Sequence, residues 1–83
     1  MKTIDKKLRQ QIMQAPRREY QVIVRTDNSF RTIVNEFTRR GVVIHNKFRF
    51  IRAIVISATG ELLLTFAQNP HIVYIELDEE VSI

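Results

Sequence analysis

Glu76 and Asp78 stand two residues apart in a stretch that alternates like a β-strand, so their carboxylates leave the chain on one face. The stretch opens after Pro70, which ends any preceding helix because it lacks a backbone donor and excludes the helical conformation from its neighbour. Five of the seven residues from His71 to Leu77 are β-branched, aromatic or leucine. Val73, Ile75 and Leu77 make one face apolar, while Ile72, Tyr74, Glu76 and Asp78 make the other, which turns polar toward its end. A strand that buries one face and aims two carboxylates off the other is built to meet a partner. The remaining candidates for chemistry are few. His45 and His71 are the only histidines, both expected in strands, and without cysteine there is no disulfide and no thiolate metal site. Nothing resembles a nucleophile elbow. No catalytic residue, metal or cofactor is expected.

Charge divides the chain. All 13 lysines and arginines fall at or before Arg52, among four acids, giving that part +9; five acids and no base follow, giving −5. Such asymmetry favours a nucleic-acid contact by the first part or a specific contact by the second. Eighty-three residues make one small domain, which buries only roughly 60–65% of its unfolded surface. An apolar content of 45% suffices for one core. No apolar run approaches the roughly 20 residues of a membrane span. The amphipathic start is not a signal peptide, so the chain is expected in the cytoplasm if complete and outside the cell if it is an excised segment.

The elements that must position the carboxylates follow from periodicity. Ile4, Leu8 and Ile12 mark a helix over 4–14, with Thr3 as its cap, an Asp5–Arg9 pair on its surface and Pro16 closing it. Its apolar stripe is narrow and predicts loose docking, with a linker at Arg17-Arg18-Glu19. Tyr20 to Thr26 alternates as a strand. Phe30, Ile33, Val34 and Phe37 form one helical face, ended by Arg39, Arg40 and the αL stop Gly41. Val42 to Phe50 and Ala53 to Ala58 read as two strands with a turn near Phe50 to Arg52. Thr59-Gly60-Glu61 opens a further helix, with Leu62, Leu63 and Phe66 inward and Gln68-Asn69-Pro70 ending it. The order strand, helix, strand, strand, helix, strand predicts an α+β, ferredoxin-like βαββαβ sandwich: a four-stranded antiparallel sheet with two helices on one face, plus an extra N-terminal helix. Residues 1–19 are then helix and linker, 20–78 the folded domain and 79–83 an extended tail.

Four pieces in order carry a family likeness: Tyr-Gln-Val-Ile-Val at 20–24, Phe-Arg-Phe-Ile-Arg-Ala at 48–53, the helix ending in Phe66, and Asn-Pro-His-Ile-Val-Tyr-Ile-Glu-Leu-Asp at 69–78. From Tyr20 to Asp78 the chain resembles the propeptide domain of subtilisin-like serine proteases and the peptidase inhibitors related to it. The resemblance implies a protein that binds a subtilisin-like catalytic domain, blocks it and guides its folding as an intramolecular chaperone. It implies that the uncovered sheet face packs on two parallel helices of the protease, with Glu76 and Asp78 at their N-termini and Tyr74, Phe48 and Phe50 in the contact. Helix N-termini present unsatisfied N–H groups and about half a positive charge, so carboxylates gain charge-assisted hydrogen bonds there. Glu79, Glu80, Val81, Ser82 and Ile83 would run into the active-site cleft like a substrate, held by main-chain bonds. The tail is acidic where family tails are small or apolar. Either cleavage falls past Ile83 or the cognate protease has a basic pocket for Glu80.

The competing reading is a ferredoxin-like nucleic-acid-binding domain using the basic N-terminal half. Phe48, Arg49, Phe50 and Arg52 favour it, but the basic-Gly-aromatic run of RNA-recognition strands is absent, with no glycine between Gly41 and Gly60. Self-association through the open sheet is a third possibility. The protease is the expected partner, with no membrane contact, and the free chain is expected to be a monomer that folds alone.

Overall fold

A computed structural model describes residues 3–79. Its seven elements are α1 (Lys6–Gln14), β1 (Glu19–Thr26), α2 (Phe30–Arg39), β2 (Val43–Phe48), β3 (Ala53–Thr59), α3 (Gly60–Phe66) and β4 (Ile72–Leu77). The strands form one antiparallel sheet in the order β2-β3-β1-β4, with β1 and β3 central. This is the α+β, ferredoxin-like arrangement that the order of elements predicts.

Alternation decides what the sheet buries. Tyr20, Val22 and Val24 of β1, Ile54, Ile56 and Ala58 of β3, and Ile72 and Ile75 of β4 join one core with Leu8, Ile12, Ile33, Phe37, Leu63 and Phe66 from the helices. All three helices therefore lie on the same face. Phe37 and Phe66 meet ring to ring at 4.6 Å, and the Arg40 guanidinium sits 5.7 Å from the Phe66 centroid. The Gly41 stop is a Schellman motif: Gly41 has φ 73°, its N–H bonds to Thr38 O, and Val42 N–H bonds to Phe37 O. That second bond holds Val42 outside β2.

The N-terminal segment departs most from expectation. Thr3 is not the cap. Asp5 N–H bonds to Ile75 O and Ile75 N–H to Thr3 O, so this segment pairs in parallel along the outer edge of β4 before any helix can begin. Asp5 then caps α1 by accepting from Leu8 N–H at 3.1 Å. Nor does α1 dock loosely, because Leu8 and Ile12 are fully buried. The Tyr20 hydroxyl lies 3.0 Å from Gln11 O and 2.9 Å from Ala15 O, at the C-terminal carbonyls of α1. Of the expected linker, Arg17 and Arg18 connect α1 to β1, while Glu19 already belongs to β1; Arg18 O and Pro16 O accept from Gly60 and Glu61 N–H in the first turn of α3. Gly60 is required at this crossing, since a Cβ there would sit 2.8 Å from Ile12 Cγ2 and 3.0 Å from Pro16 O.

Two irregularities re-aim side chains. Between Arg25 and Thr26 the β1–β4 register shifts, so Thr26 faces Ile72 while Arg25 faces Tyr74. Val73 has no opposite residue; it is 56% exposed, and Ile72 turns into the core. The expected face of Val73, Ile75 and Leu77 is thus really Ile72, Ile75 and Leu77. His71 precedes β4 rather than lying in it. A second shift displaces His45 in β2, and the strand stops at Phe48, leaving 49–52 as the turn. Since residues 3–5 cover β4, β2 is the free edge of the sheet, blunted by this bulge and by Lys47.

Candidate functional site

The face opposite the helices is built by strand register, because directly paired residues project to the same side. One row runs Phe48, Ala53, Arg25, Tyr74, and the next Asn46, Val55, Ile23, Glu76. A third runs Val43, Ser57, Gln21, and Asp78 N–H extends it by bonding to Gln21 O at 3.0 Å. The centre is small and apolar, with Ala53 and Val55 buried between longer neighbours. Its two margins differ. Along β4 stand Tyr74, Glu76 and Asp78; along β2 stand the exposed Val43 and Phe48.

Tyr74, Glu76 and Asp78 are therefore brought together as the sequence suggests. Each already has a neighbour within the chain. Glu76 lies 3.4 Å from Arg25, both partly exposed, and Gln21 Nε2 donates to Asp78 Oδ2 at 2.6 Å. The Tyr74 hydroxyl donates to Asp5 Oδ1 at 3.3 Å, and partial burial together with the Asp5 carboxylate pushes the phenol above its usual value. Just beyond β4, Glu79 pairs with Lys7 at 3.1 Å on the surface. The Glu76–Arg25 and Glu79–Lys7 ion pairs lie near the surface and contribute at most about 1 kcal/mol each, so donors on a partner can displace them.

The other expected contact residues are dispersed. Phe48 occupies the same face but the opposite margin, three strand spacings or about 14 Å from Tyr74. Phe50 is off the sheet, in the 49–52 turn, and wholly exposed. Glu80, Val81, Ser82 and Ile83 lie outside the described residues.

Arg25 and Gln21, which hold the two carboxylates, escaped the sequence reading. The signal was available: β1 alternates Gln21, Ile23 and Arg25 on one side, and this fold places β1 beside β4. Two histidine contacts were not legible. His45 Nε2 lies 2.6 Å from Ser57 Oγ, a pair that only the bulge brings together. His71 Nδ1 lies 2.9 Å from Asp27 Oδ2 and 3.2 Å from Ser29 Oγ. Serine and carboxylate meet the same ring nitrogen, so the imidazole ties the α2 entry turn to the start of β4 and does not relay a proton between them. No group of three His, Cys, Asp or Glu that would hold a metal occurs among the described residues. None of the described helices is long and apolar enough to cross a membrane.

The His71 contact gives a pH prediction. Its hydrogen bond, together with the Ser29 backbone N–H, holds the Asp27 carboxyl below its ordinary value. A lowered carboxyl favours the folded chain once ionised. This contribution is complete above the unfolded value and is lost as pH falls through the lowered one. His71→Ala should raise the Asp27 midpoint in a carboxyl carbon-13 NMR titration. An unmoved midpoint would mean that the hydrogen bond does not set it.

No protein-family model matches the chain, and no curated protein matches it.

Proposed function

We propose that this chain is an inhibitor and intramolecular chaperone of a subtilisin-like serine protease. One observation carries the reading: Glu76 and Asp78 stand side by side on a sheet face that none of the described helices covers, and the chain continues beyond Asp78. Two residues along a strand put the carboxylates about 7 Å apart, near the roughly 8–10 Å between packed helix axes. Each carboxylate can thus address the N-terminus of one of two adjacent parallel helices, exchanging Arg25 or Gln21 for backbone N–H groups and the positive end of a dipole. The small residues Ala53 and Val55 let helical ridges approach the sheet centre. Holding two helices in register in this way is also what a folding template must do.

Beyond Asp78, residues 79–83 enter the cleft as an extended strand, blocking it with main-chain bonds. The chain is expected to inhibit members of a panel of subtilisin-like proteases at micromolar concentration or below, about 8 kcal/mol of binding. Removing Val81 to Ile83 should abolish inhibition while the circular dichroism spectrum stays unchanged. Lack of inhibition by the full chain at high micromolar concentration across the panel would overturn the function; equal inhibition by the truncated chain would overturn the substrate-like tail.

A further inference from the structure

The molecule has a second built feature, on the margin away from β4. Between the first turn of α2 and the β2–β3 turn lies a cleft of about 750 Å³, lined by Arg31, Lys47, Arg49 and Arg52 with Phe30 and Phe50 among its walls. No carboxylate lines it. None of its four bases takes part in an ion pair among the described residues, although the chain has acids enough to pair them. Gathering four like charges without a counter-ion works against the compact state, so folding alone does not account for it.

Two further observations point outward. Arg52 is the only non-glycine residue of positive φ among the described residues, at 54°, in a turn where glycine or asparagine would fit without strain. The strain secures an arginine in the lining. Phe50, beside it, is 100% exposed, so its ring has no packing role in the free chain. We propose that this cleft binds single-stranded nucleic acid, with the four bases on successive phosphates and a base stacked on Phe50. A basic track with an unpacked aromatic is the recognition set for single strands, because every base offers a π-face while the phosphates meet arginine forks. An acidic peptide would use the charges and leave the ring idle. The site differs from the sheet platform of RNA-recognition domains: the central strands carry only Ala53, Val55, Ser57, Gln21, Ile23 and Arg25 on the open face, with no aromatic. It is also independent of the protease reading, whose carboxylates lie along the opposite edge of the sheet.

The test is fluorescence anisotropy of a labelled twelve-nucleotide oligouridylate titrated with the full chain over a salt series. Four phosphate contacts on a single strand predict a log–log salt slope near −3. Arg49→Ala with Arg52→Gly should weaken binding at least tenfold and flatten the slope by about 1.4. Arg52→Gly alone should melt no lower than the parent, since it relieves the strained backbone, which separates lost binding from lost folding. Phe50→Ala should weaken binding 5- to 100-fold with the slope and the melting temperature unchanged. Three results would overturn the proposal: no binding at low salt, an equal loss on replacing Arg17 and Arg18 remote from the cleft, or equally tight binding of a polyglutamate of the same length, which would assign the cleft to an acidic protein segment.

Discussion

Replacing Leu8 and Ile12 together by alanine is expected to leave the chain largely unfolded at room temperature. Both side chains are fully buried in the common core, although they belong to a segment outside the βαββαβ unit. Each truncation of this kind costs about 2–5 kcal/mol. The whole domain, at roughly 0.05–0.15 kcal/mol per residue, holds about 4–12 kcal/mol. The two sites share neighbours and will not add strictly, but even a partial sum reaches the total. Local geometry supports the size of the effect: Ile12 packs so closely on Gly60 that not even a Cβ fits between them. A surface control, Met13→Ala one residue along, should change little, since Met13 is 70% exposed. Urea titration followed by circular dichroism reads the outcome. A double variant whose midpoint stays within about 0.5 M of the parent, roughly 0.5–1.5 kcal/mol, would show that α1 is an accessory to a self-sufficient sandwich.

That expectation runs against the sequence reading, and the reason is physical. Three apolar residues at four-residue spacing identify a helix but do not say how tightly its stripe is held. In the structure Ile4 leaves the helix to lie along β4, and only two residues do the packing. What holds them is not periodic: the Tyr20 hydroxyl at the α1 C-terminus, the Pro16 and Arg18 carbonyls on α3, and the space made by Gly60. Periodicity was informative elsewhere because one face of each element is buried. Alternation in Tyr20 to Thr26 and the Phe30, Ile33, Val34, Phe37 face before Gly41 were enough to order the elements and hence the strands.

The site was legible to the same depth. Alternation put Tyr74, Glu76 and Asp78 on one side, and the register keeps them there because the bulge falls before Tyr74. It misplaced Ile72 and Val73, since two adjacent β-branched residues give no signal of which one is skipped. The basic cleft was legible only in part: Arg49, Phe50 and Arg52 stand together in the sequence, but what completes the cleft does not. Arg31 is distant in sequence from Lys47, Arg49 and Arg52, and the turn that unites them has no glycine; Arg52 adopts the αL conformation that a sequence reader assigns to glycine.

Glu76→Ala with Asp78→Ala is expected to weaken protease inhibition 10²- to 10⁴-fold, from two charge-assisted hydrogen-bonding groups at about 1.5–3 kcal/mol each. The fold should be unaffected. Glu76 meets Arg25 at 3.4 Å near the surface and Asp78 meets an exposed Gln21, contacts of small net value, so the melting temperature should hold. Arg25→Ala sharpens the comparison. If the Glu76–Arg25 pair must open before docking, removing Arg25 changes inhibition less than tenfold; if Arg25 itself held the protease, the loss would match that of the acids. Glu76→Gln with Asp78→Asn separates charge from shape. Amides keep an oxygen acceptor but not the charge that a helix N-terminus favours, so this pair should lose most of what the alanines lose. Inhibition by the amide pair equal to the parent would mean that the carboxylates do not sit at helix ends. The face would then dock through its apolar centre, with Tyr74 and Phe48 on its margins.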